Sequence, residues 1–92
     1  MIKYSEIKTS NGTVTLNESN PTYKINTTNW EYLKIYSVVG TVKIYINNST
    51  DFIEIRATDE FILEDFAINN LMFEFSDISG SMGCEFCYYL LK

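Results

Sequence analysis

Between residues 41 and 76 apolar and polar side chains alternate with a period of two, in short runs broken by polar turn residues. A period of two places successive side chains on opposite faces of an extended chain, so each run is a half-buried strand rather than a helix. Val42, Ile44 and Ile46 alternate with Lys43 and Tyr45, and Asn47-Asn48-Ser49-Thr50 follows as a turn. Asn suits it, because it tolerates positive φ and bonds its own backbone. Ile53, Ile55 and Ala57 resume one face against Phe52, Glu54 and Arg56, up to a short turn at Thr58-Asp59. Phe61 and Leu63 continue the pattern, and Leu71, Phe73 and Phe75 return to it after Asp65-Phe66. Turns this closely spaced point to an all-β sandwich or small barrel.

The flanking segments read the same way. Residues 1–10 form an edge strand or an arm, with Ile2, Tyr4 and Ile7 as its apolar positions. Asn11-Gly12 is a type I′ turn signal, and Val14 and Leu16 share one face of the next strand. Tyr23 and Ile25 mark another strand, and Asn26-Thr27-Thr28-Asn29 reads as a loop. Residues 30–38 carry Leu33 and Ile35 inward with Tyr32, Lys34 and Tyr36 outward; a helical turn from Trp30 is the alternative. The β-branched and aromatic content favours the strand. Val39-Gly40 is a tight link that makes residues 30–38 and 41–47 a hairpin. Residues 77–83 form a Gly- and Ser-rich loop before a final strand with Cys84, Phe86, Tyr88 and Leu90 on one face and Glu85, Cys87, Tyr89 and Leu91 on the other. The expectation is one antiparallel domain over residues 1–92, with eight or nine short strands.

Ninety-two residues with 46% apolar content supply one core without the help of metals or disulfides. No apolar run is long enough to span a membrane as a helix. The start of the chain shows no basic segment followed by an apolar one, so no secretory signal is expected. The net charge of −5 disfavours a nucleic-acid partner, since phosphate contacts need Lys and Arg. The acids are concentrated in the second half. Residues 47–92 hold Asp51, Glu54, Asp59, Glu60, Glu64, Asp65, Glu74, Asp77 and Glu85 against Arg56 and Lys92. That half is a solvated face, a docking surface for a basic partner, or a mimic of nucleic acid.

Few residues carry chemistry. The chain has no His, which removes Ser-His-Asp and Cys-His nucleophile systems. Cys84 and Cys87 have CxxC spacing, but no second pair exists to complete a zinc site, and on a strand the two thiols point to opposite faces. Both are expected to be free. Asp59, Glu60, Glu64 and Asp65 crowd one segment, without the alternating Asp/Asn and Gly of a calcium loop. They read as charge that keeps a sheet edge unsticky, ahead of calcium binding and of acid–base catalysis. No catalytic residue, cofactor or metal is expected.

Aromatic residues make up 15% of the chain, more than a core of this size consumes. Tyr32, Tyr36, Tyr45, Tyr88 and Tyr89, with Trp30, form a core and cross-strand set, a subunit contact, or a sugar-stacking platform. Tyr88, Tyr89, Leu90 and Leu91 make the last strand greasy on both faces, as a strand sandwiched centrally or covered by another subunit would be.

Residues 32–91 resemble a pattern of turns and apolar positions found in small bacteriophage virion proteins. The matching pieces are Val39-Gly40-Thr41-Val42, Phe61-Ile62-Leu63-Glu64, Ile68-Asn69-Asn70-Leu71 and Ser79-Gly80-Ser81. The resemblance implies a jelly-roll-like β-sandwich in a non-enzymatic virion component, of the capsid-decoration, head-fibre or neck and tail accessory type. It further implies a homo-oligomer attached to capsid, portal or tail proteins, located in the virion and in the host cytoplasm during assembly. The residues expected to make protein contacts are Tyr32, Tyr36, Tyr45, Tyr88, Tyr89 and Leu91. Two other readings stay open: a small acidic inhibitor of a host nucleic-acid-binding defence protein, and a glycan-binding module.

Overall fold

A computed structural model describes residues 3–57, 59–76 and 83–92, with the backbone alone for Thr27 and Thr28. Among these residues every regular element is a strand: β1 (Ile7–Thr9), β2 (Val14–Leu16), β3 (Thr22–Val39), β4 (Thr41–Ile46), β5 (Ile53–Arg56), β6 (Phe61–Phe75) and β7 (Cys84–Leu91). All pairings are antiparallel, in the order β1-β7-β3-β6-β4-β5, with β2 also on β7. The chain is an all-β sandwich, made by folding one hydrogen-bonded sheet into two layers.

The fold is made by β3 and β6, which are far longer than their neighbours and bend together. Residues 22–26 of β3 pair with residues 70–74 of β6, in the layer that also holds β4 and β5. Residues 30–35 of β3 pair with residues 61–68 of β6, in the layer that holds β7, β1 and β2. The bend is a pair of compensating bulges. Residues 26–30 advance four positions while β6 advances two (Asn26↔Asn70, Trp30↔Ile68). The next step reverses the excess, with two positions on β3 against four on β6 (Trp30↔Ile68, Tyr32↔Glu64). Asn29 and Asp65 absorb the change with φ of 57° and 52°, values that Asn and Asp tolerate better than most residues.

Those bulges explain the strand count. Polar clusters at Asn26–Asn29 and around Asp65 have the composition of loops, and each was expected to separate two strands. Instead they are kinks inside continuous strands, so the eight or nine expected strands become seven among the described residues. The expected hairpin at Val39-Gly40 is also corrected, because β3 and β4 do not pair. Gly40, at φ 79°, carries the chain from one layer to the other, where a Cβ would lie 2.8 Å from the Gly83 carbonyl oxygen. Asn11 and Gly12 do have positive φ, 55° and 118°. They join β1 and β2 end to end along β7 rather than closing a hairpin. The turn after β4 is as read: Asn47 and Asn48 take φ of 54° and 61°, and Ser49 N–H donates to the Ile46 carbonyl at 3.1 Å. This is type I′ geometry. Thr58 and most of the Gly/Ser loop, residues 77–82, lie outside the described residues.

The core fills the space between the layers. On β7, Cys84, Phe86, Tyr88 and Leu90 are buried while the alternate residues face out. Opposite them stand Leu71 and Phe73 of β6 with Val42 and Ile44 of β4, all at most 1% exposed. Each such aliphatic or aromatic side chain contributes about 1.5–3 kcal/mol by leaving water, which is why the alternation dictates the faces.

Candidate protein-interaction face

The outward side of the β7 layer gathers four of the six expected contact residues. In an antiparallel pair, residues directly opposite share a face. The register therefore sets Ile7, Leu91, Tyr32 and Glu64 in one row across β1, β7, β3 and β6. The next row is Thr9, Tyr89, Lys34 and Ile62, and Cys87 and Tyr36 begin a third. The Tyr32 and Tyr89 rings stack at 6.0 Å between centroids, Tyr36 tilts against Tyr89 at 6.1 Å, and Tyr4 tilts against Tyr32 at 5.8 Å. Ile7 is 63% exposed and Ile62 46% exposed. Lys34 Nζ lies 3.6 Å from Glu60 Oε2 at the rim.

Partial desolvation, followed by contact with the Tyr89 hydroxyl and the nearby Glu64 carboxylate, raises Tyr32 above the ordinary tyrosine value. A half-buried cluster of rings with exposed aliphatic side chains at its edge is suited to covering by another protein surface, where Tyr supplies area at low entropic cost.

The other two expected contact residues lie elsewhere. Tyr88 is 1% exposed and belongs to the core, stacked on Phe73 at 5.8 Å with its hydroxyl 3.2 Å from that of Tyr23. Burial, and then the Tyr23 contact, raise its pKa strongly. The sequence showed that Tyr88 and Tyr89 face opposite ways, but both faces are apolar, and the layer across the gap decides which is inside. Tyr45 lies on the outside of the other layer, where its hydroxyl donates to Glu74 Oε1 at 3.1 Å and its ring meets Phe52 at 5.6 Å. Desolvation first, and then Glu74, raise its pKa. Trp30 is buried at the bend, with Lys92 Nζ 4.9 Å from its ring centroid. Ile7 belongs to the edge strand or arm read from sequence, whereas Ile62 was not singled out; the signal for it was an apolar residue on the polar side of its strand.

The carboxylates are dispersed. Glu60 meets Lys34, Asp65 Oδ1 lies 3.1 Å from Lys3 Nζ, and Asp59 Oδ2 accepts from the Arg56 backbone N–H at 3.4 Å. Among the described residues no three Asp, Glu, His or Cys side chains converge as a metal site would require. Both thiols are free, Cys84 in the core and Cys87 half-buried with Sγ 3.8 Å from Thr13 Oγ1.

No family model and no curated protein matches the sequence. Among solved structures, the NLP core of Drosophila aligns with a TM-score of 0.59 over 95% of this chain and 98% of that one, at 15% identity. The chain shares the fold of that core. The Drosophila structure was described for the insight it gives into pentamer formation and histone binding by that protein.

Proposed function

We propose that this protein is a non-enzymatic assembly module: a homo-oligomer that joins its copies through the outer face of the β7 layer and fits against other protein chains. The observation that carries the reading is the cluster of Tyr32, Tyr36, Tyr89 and Leu91 over three adjacent cross-strand rows, flanked by exposed Ile7 and Ile62. Rings and exposed aliphatic side chains gathered on one face, with Lys34 and Glu64 among them, favour a contact surface. A fold shared with a pentamer-forming core supports the oligomer. Repetition in a ring or on a lattice makes modest single contacts tight.

Light scattering on the purified chain tests the reading. The expected outcome is an oligomer that Tyr89→Asp or Ile62→Lys reduces to folded monomers. A wild-type protein that stays monomeric at high micromolar concentration sinks it.

Two narrower forms follow. Attachment to a bacteriophage capsid, portal or tail rests on the resemblance in residues 32–91 and predicts co-sedimentation with virus particles. A basic partner, such as a nucleic-acid-binding protein, rests on the acids of residues 47–92 and on the histone binding described for the Drosophila core. That form predicts association that weakens steeply with salt.

A further inference from the structure

We propose that the free edge of β5, with the cleft beside it, docks an extended segment of a partner protein in which Lys or Arg residues flank an aliphatic or aromatic anchor. This inference goes beyond the oligomer reading and uses a different surface.

The cleft, about 270 Å³, opens between β5 and the bend of β6 and is lined mainly by Ile44, Ile46, Phe52, Ile53 and Phe66, with Asp51 at its side. Phe52, Ile53 and Phe66 are each more than two-fifths exposed. Apolar side chains scattered singly over a surface are ordinary, but three around one depression are not. The volume falls below the range of a pocket for a whole small ligand, and suits inserted side chains.

The backbone supplies the second part. Among the described residues β5 pairs only with β4, through Thr41↔Arg56 to Ile44↔Ile53. At its end Arg56 is taken up by Asp59, the Arg56 N–H donating to Oδ2 at 3.4 Å and the Arg56 carbonyl accepting from the Asp59 N–H at 3.0 Å, so an added strand would pair along residues 53–55. A segment pairing there places alternate side chains on the face that Ile53 shares with the cleft, which is the geometry of β-strand addition.

Charge selects the occupant. Asp51 and Asp59 stand exposed at the two ends of β5 and form no ion pair among the described residues. Arg56, the cation on β5, is held by Glu54 with Nε 3.2 Å from Oε1. Lys43 Nζ lies 4.7 Å from the Phe52 ring centroid, on the outward side of the layer. The balance around the cleft is acidic, so a cationic segment is attracted and an acidic one repelled.

Fluorescence anisotropy with a labelled Lys-Val-Lys-Ile-Lys-Phe-Lys peptide, and with its Glu-for-Lys counterpart, tests the proposal. The basic probe is expected to bind with strong salt dependence, and the acidic probe is not. Phe66→Ser weakens the basic probe about tenfold, and Asp51→Lys weakens it while flattening the salt dependence. Asp51 is exposed, so that variant carries the test if Phe66→Ser does not fold. Tyr89→Asp, which breaks the oligomer, leaves affinity per chain unchanged, which separates this proposal from the previous one. Equal binding of both probes, or indifference to both cleft substitutions, overturns it. So does a change in particle size with Phe66→Ser, which would assign the cleft to a second copy.

Discussion

Phe73 of β6 and Phe86 of β7 meet with ring centroids 4.5 Å apart and planes inclined at 34°. They come from opposite layers, and both are fully buried. Tyr88 stacks on the same Phe73 ring, so one side chain ties β7, which lies between β1 and β3, to the middle of the other layer.

Truncating it has a large cost. Phe73→Ala is expected to destabilise the fold by about 3–5 kcal/mol, from lost burial and the cavity left behind. Phe73→Leu keeps much of the volume and costs less. Urea denaturation followed by tryptophan fluorescence checks both. A loss below 1 kcal/mol for the alanine variant would mean the layers are not joined there.

Asn47 is expected to matter more than a surface turn residue normally does. Its φ is 54°, its Nδ2 donates to the Ala67 carbonyl at 2.7 Å, and its Oδ1 accepts from Asn69 N–H at 2.8 Å. Asn69 Oδ1 in turn accepts from Asn29 N–H at 3.0 Å, so the β4–β5 turn is tied to the bend of β3 and β6. Asn47→Ala loses the backbone tolerance and the bonds together, about 1–3 kcal/mol. Asn47→Gly keeps the first and loses the second, so its melting temperature falls between the other two.

Alkaline pH is expected to weaken the fold. Burial, and then the neighbouring Glu85 charge, push the Cys84 thiol from 9.0 up to about 11, and burial holds Tyr88 above its ordinary 10.0. In both cases the unfolded chain releases the proton at lower pH than the folded one. The stabilisation is therefore complete below about pH 9, falls between 9 and 11 as Cys84 ionises in the unfolded state, and falls further above 10 as Tyr88 does. Thermal melts across that range check the slope. Cys84→Ala removes the first part and Tyr88→Phe the second.

The two thiols are expected to differ in reactivity. Cys84 is 1% exposed and Cys87 is half-buried on the outer face. A chromogenic disulfide reagent should titrate Cys87 in the native protein and reach Cys84 only in urea. If the face carrying Cys87 is the contact between copies, the monomeric Tyr89→Asp variant reacts faster than wild type. Two equally fast thiols in the native protein would contradict the burial of Cys84.

Much of the local structure was legible in the residues. The inward set on β7, the pair Leu33 and Ile35, and the positive-φ turn at Asn47-Asn48 follow from period-two alternation and from the chemistry of Asn. The outward face of the β7 layer was legible in part, since Tyr32, Tyr36, Tyr89 and Leu91 stand at outward positions of their strands. Tyr88 and Tyr45 were grouped with them because an aromatic residue carries no mark of which face the opposite layer will cover, as for Tyr88, or of which layer its strand joins, as for Tyr45.

The sequence by itself determined that the chain is extended, which side chains share a face, and where Asn and Gly allow it to turn. Only the tertiary structure decided that Asn29 and Asp65 bend two long strands instead of ending four short ones, and that Gly40 crosses between layers instead of closing a hairpin. The reason is that alternation and turn propensity are properties of neighbours along the chain. Layer assignment and pairing partner depend on what lies across a gap dozens of residues away, as Phe73 lies across from Phe86.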